Sequence, residues 1–178
     1  MRIQMKNVRL SFPKLFKAEA YGDNPTPMFQ ASFLFAPGSE AHKALEAAMV
    51  AAAQEKWGAK AAQTLKALVA SNKVCLRNGD EKADLDGYAG MLFLNARNAK
   101  RPLIVDKDRA PLVEADGKPY AGCFVNAVLD IYAQDHPQYG KRINASLGGV
   151  QFVRDGDAFG AKGVSEFDFE EIDEDLLA

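Results

Sequence analysis

Between Tyr88 and Val105 the chain reads YAGMLFLNARNAKRPLIV, with Asp106 next, and no acidic residue interrupts it. Tyr88–Ala96 is almost wholly apolar or small, as a strand with one buried face requires. Alternation puts Tyr88, Gly90, Leu92 and Leu94 on one side. Ala89, Met91, Phe93, Asn95 and Arg97 take the other, which runs from apolar through polar to basic. Lys100 and Arg101 follow, then Pro102, which ends any helical option, and a second apolar run, Leu103–Val105. Two strands flanking a turn with Arg97, Lys100 and Arg101 are therefore expected. Such an edge suits a nucleic-acid backbone: cations for phosphates, a ring for a base. A solvated hairpin tip beside an ordinary core strand is the favoured reading of this stretch alone.

The strands elsewhere are short and the breaks frequent. Arg2–Ser11 alternates but slips around Asn7, so a bulge is expected there. Phe12 and Phe16 read as core plugs under a loop, and Tyr21–Pro27 as a loop; Lys14 and Lys17 can reach phosphate or solvent. Met28–Phe35 is a second strand with Phe29, Ala31, Phe33 and Phe35 on one face. Ser39 then offers an N-cap and Gly58 a stop, predicting a helix to Trp57 that buries Leu45, Ala48, Met49, Ala52 and Ala53. A second helix over 59–70 puts Ala61, Leu65, Leu68 and Val69 inward. Lys73–Arg77 is a short strand. Asn78–Gly87 is an acidic loop whose spacing matches no calcium loop. Ala121–Ala133 alternates cleanly, with Cys123, Val125, Ala127, Leu129 and Ile131 on one face and Phe124, Asn126, Val128, Asp130 and Tyr132 on the other. Lys141–Arg154 returns as a strand, and Gly148-Gly149 predicts a sharp bend or a close backbone approach. Six or seven strands and one helical insertion make an α+β chain with an antiparallel β-barrel core of the oligonucleotide-binding (OB) type; a β-sandwich is the alternative.

One domain over 1–165, with the helical insertion at about 39–70 and an acidic tail at 166–178, accounts for 178 residues. The tail, EFDFEEIDEDLLA, holds seven acids and no base, so it reads as disordered. The remainder has 17 acids against 22 basic residues, a net of +5 hidden beneath an overall −2. A basic body with an acidic tail fits a nucleic-acid protein carrying its own competing anion or a partner-docking segment; a solubilising tail fits too. No apolar signal-peptide core opens the chain and no run is long enough to span a bilayer, so a cytoplasmic protein is expected. Cys75 and Cys123 are expected to be buried thiols. With two histidines and no close ligand pair, a structural zinc site is not expected. No phosphate-binding glycine loop or nucleophile elbow occurs, so neither an enzyme nor a cofactor is expected.

The segments NVRLSFPKLF, LNARNAKRPLIVD, YAGCFVNAVLDIYA and INASLGGVQFVRDGDAFG, in that order and spacing, resemble the tailed-phage single-stranded DNA-binding proteins, a family long catalogued as a domain of unknown function. The resemblance spans about the whole chain. It implies an OB fold that coats single-stranded DNA without strong sequence preference in phage replication or recombination, within the host cytoplasm. On that basis Arg77, Arg97, Lys100, Arg101 and Arg142 are assigned to phosphates, Phe93 and Tyr132 to base stacking, and Asn95 and Asn126 to hydrogen bonds with bases or sugars. The tail residues Phe167, Asp168, Phe169, Glu170, Glu171, Asp173, Glu174 and Asp175 are assigned to a replication or recombination partner. Tails of this kind often end in an aromatic residue; this one ends in Leu177-Ala178. A protein-interaction β-domain working through its tail is the alternative.

Overall fold

In a computed structural model of the chain, which describes residues 1–160 and 169–172, the alternating segments close into a barrel. The strands are β1 (Arg2–Tyr21), β2 (Asn24–Phe35), β3 (Leu76–Asn78), β4 (Leu92–Asn98), β5 (Leu103–Val105), β6 (Phe124–His136) and β7 (Gly140–Arg154). Two helices, α1 (Glu40–Trp57) and α2 (Ala61–Ala70), lie between β2 and β3. Antiparallel pairing runs β4–β2–β1–β6–β7, and a parallel pair, Arg97 with Ser146, joins β4 to β7 and closes five strands on themselves. β3 extends the sheet beyond β4, and β5 pairs with β7 just past the closure.

The period-2 pattern decides which side faces in. Cys123, just before β6, and Val125, Ala127, Leu129 and Ile131 within it are all fully buried. Met5 and Leu10 of β1, Phe33 of β2, Leu94 of β4 and Ile143 and Leu147 of β7 meet them. Each large side chain so buried stabilises the barrel by roughly 1.5–3 kcal/mol relative to exposure. α1 lays Leu45, Ala48, Met49 and Ala52 against β1 and β6, and these join the same core. Its start is capped as the sequence requires: the Ser39 hydroxyl accepts from His42 N, and Gly58 ends the helix.

At Asn7 the register of β1 against β6 breaks between Met5 and Val8, with φ at 53°. Asparagine tolerates that conformation better than most residues. The bulge is braced across the sheet, where Asn7 N donates to Asn126 Oδ1 at 2.9 Å. The expected close approach at Gly148-Gly149 is also present. A β-carbon on either glycine would come 3.0 Å from a backbone oxygen, that of Val128 or of Leu103 respectively.

Four expectations need correction. Tyr21–Pro27 is mostly the end of a long hairpin, with only Gly22-Asp23 as its turn. Tyr88–Gly90 is a turn preceding β4, closed by Met91 N donating to Tyr88 O. Val69 faces solvent, because α2 buries the line through Ala61 and Leu68 and the next residue lies about 100° round the helix. Phe12, expected in the core, is 53% exposed. The expected domain boundary at 165/166 lies outside the described residues.

Candidate nucleic-acid interface

Residues directly opposite in antiparallel strands share a face, so the register builds the outer wall of the barrel row by row. One row is Lys14 of β1, Gln30 of β2 and Arg97 of β4, with Ser146 of β7 beyond. The next is Ser11, Ser32 and Asn95. The third is Arg9, Leu34, Phe93 and Arg77 of β3. The middle row is polar and knitted, with Ser32 Oγ donating to Asn95 Oδ1 at 2.5 Å.

Beside the first row lies the basic turn between β4 and β5. Asn98 fixes it: its Nδ2 donates to Leu147 O of β7 at 3.1 Å, and its Oδ1 accepts from Lys100 N at 3.0 Å. Arg101 Nη2 donates to Phe16 O of β1 at 3.3 Å, and its guanidinium lies 5.9 Å from the Phe29 ring centre. Arg97, Lys100 and Arg101 are exposed, and among the described residues none of them is ion-paired. Lys14, by contrast, meets Glu19 at 3.2 Å. The result is an uncompensated positive corner against a polar wall.

The assigned residues divide accordingly. Asn95, Arg97, Lys100 and Arg101 come together. Tyr132, 43% exposed, and Arg142 lie on the adjoining outer wall, opposite Asn144 and Gln134. Arg142 is four residues along β7 from Ser146, roughly 13 Å at strand rise.

Three assignments do not hold as made. Phe93 is buried, so neither ring face is open to a base. The segment after β3 folds back over this end of the wall and forms a small second core of Leu34, Tyr88 and Phe93, with Leu85 and Phe159 packed on it. Tyr88 meets Phe93 edge-on at 5.2 Å, and Lys82 Nζ sits 5.2 Å from the Phe93 ring centre. The fold-back depends on Gly79, where a β-carbon would come 2.1 Å from Tyr88 O. Arg77 is neutralised by Glu81 at 2.9 Å. The Asn72 amide, and then Arg77, hold the Glu81 carboxyl below its ordinary range. Asn126 is engaged within the protein, accepting from Asn7 and donating to Gln151. Of the tail residues, Phe169, Glu170 and Glu171 are exposed; Phe167, Asp168, Asp173, Glu174 and Asp175 lie outside the described residues.

Sequence reasoning passed over Ser11, Gln30, Ser32 and Asn98. Gln30 and Ser32 had a signal, since they alternate with apolar Phe29, Ala31 and Phe33. Asn98 had none beyond its place in a turn.

Both thiols are buried, which pushes Cys75 up to about 12 and Cys123 up to about 11. Among the described residues no three His, Cys, Asp or Glu side chains are grouped to hold a metal, and no helix is long and apolar enough to cross a membrane.

Comparison with known proteins matches this architecture. A family model described as the ssDNA-binding protein of Enterobacter phage Enc34 covers residues 1–177. A putative protein, p50, of Acyrthosiphon pisum secondary endosymbiont phage 1 is 41% identical over 186 residues, spanning the whole of both chains. The structure of the bacteriophage Enc34 single-stranded DNA-binding protein in complex with ssDNA superimposes with a TM-score of 0.70 at 29% identity, covering 89% of each chain. The bacteriophage T7 single-stranded DNA-binding protein gp2.5 shares the fold, with a TM-score of 0.57 at 11% identity over 94% of this chain and 92% of that one.

Proposed function

This chain belongs to the family of the Enterobacter phage Enc34 ssDNA-binding protein, and we propose that it binds single-stranded DNA without sequence preference, coating it during phage replication or recombination in the host cytoplasm. The observation that carries this is the uncompensated corner of Arg97, Lys100 and Arg101 beside the Ser32–Asn95 row. Cations without acidic partners attract phosphates and release counterions when they bind them. Asn95 is placed to bond a sugar or a base edge. Contacts of this kind position a strand without reading its sequence. Tyr132 and Arg142 extend the track along the β6–β7 wall. A single strand bends to such a curved wall, whereas a duplex presents a stiffer, wider face.

The acidic tail acts, in this proposal, as a competing anion and as the dock for a replication or recombination protein. Phe169 and Ile172 are each more than 70% exposed, with Glu170 and Glu171 between them. Apolar groups exposed among acids suit a basic partner groove.

Fluorescence anisotropy of a labelled oligo-dT, with a duplex of equal length beside it, tests this. Tight, salt-sensitive binding to the single strand is expected. No binding at low salt by either the full chain or a tail-deleted chain refutes it.

A further inference from the structure

Phe12 is placed against both the backbone and the solvent. Its φ is 45°, in the left-handed region where an L side chain crowds its own carbonyl. The residue is 53% exposed rather than buried. Such outliers persist where the surroundings impose them, and they cluster at binding sites. The surroundings here are a cleft of about 490 Å³ at the Ser11–Phe12 corner of β1, within the usual size of small-molecule sites. Tyr88 and Leu85 give it an apolar floor, and Phe159 forms part of its wall. Tyr88 is locked by its hydroxyl donating to Ser11 Oγ at 3.2 Å. The Phe12 and Tyr88 rings are tilted by 53° with centres 6.4 Å apart, so Tyr88 does not stack on Phe12.

The polar groups select what enters. Asp84 and Asp86 line the cleft, and Asp86 Oδ2 already accepts from Gly160 N at 3.0 Å. Two carboxylates repel a phosphate but accept readily from the ring and amino N–H groups of a base. The cleft also shares strand positions with the interface. Ser11 lies opposite Ser32, which bonds Asn95, and Lys14 at its rim lies opposite Gln30 in the Arg97 row.

We propose that this cleft seats one nucleobase of the bound strand, with the Phe12 ring as its stacking platform and the phosphates left outside toward Arg97. The proposal rests on the single-stranded DNA reading above and adds to it the place where a base leaves the track. A stacked ring contributes to affinity but releases no counterion.

Phe12→Ala, Phe12→Trp and the wild type, each as the full chain, are titrated against oligo-dT at two salt concentrations. Phe12→Ala is expected to bind about 5- to 150-fold more weakly with an unchanged salt slope. Phe12→Trp is expected to bind, with indole emission quenched by the oligonucleotide to an extent that Trp57 in the wild type does not show. Wild-type affinity in Phe12→Ala, or a bound Phe12→Trp without the added quenching, overturns the base seat while leaving the function standing. A wild type that binds no oligonucleotide sinks the function itself.

Discussion

Replacing Arg97, Lys100 and Arg101 together by glutamine separates these cations from the other basic residues on the surface. On single strands the logarithm of the binding constant falls with the logarithm of salt by about 0.7 for each phosphate neutralised. Three cations without acidic partners among the described residues then carry about two units of slope. Between 50 and 200 mM salt, the wild type should lose about 20-fold more affinity than the triple variant. Arg77→Gln is the internal control. Glu81 already neutralises Arg77 at 2.9 Å, so its loss should change the slope by well under 0.7. The assay is anisotropy of a labelled oligo-dT across a salt series, with thermal melts to confirm that each variant is folded. The Arg101 bond to Phe16 O makes that check necessary. A triple variant with wild-type slope, or an Arg77→Gln variant that matches the triple, would refute the assignment of these three residues to phosphates.

Phe93→Ala should cost about 3–5 kcal/mol in chemical denaturation, as a truncated buried ring does, and leave the salt slope of DNA binding unchanged. Deleting 166–178 should tighten binding to single strands most at low salt, where seven acids compete best; equal affinity at every salt speaks against competition by the tail. Cys75 and Cys123 should not react with a thiol reagent in the native protein, and both should react once it is unfolded. Their raised values also set a sign. Folding favours the neutral thiols, so their contribution is complete below about pH 8.5 and is lost as pH rises toward 11 and 12. The denaturation midpoint should therefore fall above about pH 8.5, and by less in a Cys75→Ala/Cys123→Ala variant.

What the sequence by itself determined is local and periodic. The alternation through Ala121–Ala133 named five residues that the barrel buries completely, Cys123, Val125, Ala127, Leu129 and Ile131. Ser39 and Gly58 marked the ends of α1, and the slipped period at Asn7 marked a bulge. Each rests on side-chain period or backbone preference, which neighbouring residues decide among themselves. The basic turn was visible for the same reason, as a run of like charge with no acid inside it.

Tertiary structure decided the rest. The barrel closes where β4 meets β7 at Arg97 and Ser146, 49 positions apart and without a sequence signal. The alternation that correctly placed Phe93 on the outer side of β4 could not show that Leu34, Tyr88 and Phe159 would cover it there. The same pattern could not show that Glu81 would take Arg77, that the Asn7 bulge would take Asn126, or that Phe12 would be left exposed. Side-chain period assigns a residue to a face of the sheet. Whether that face meets solvent, a loop or a counter-charge depends on which distant segments the closed barrel brings against it.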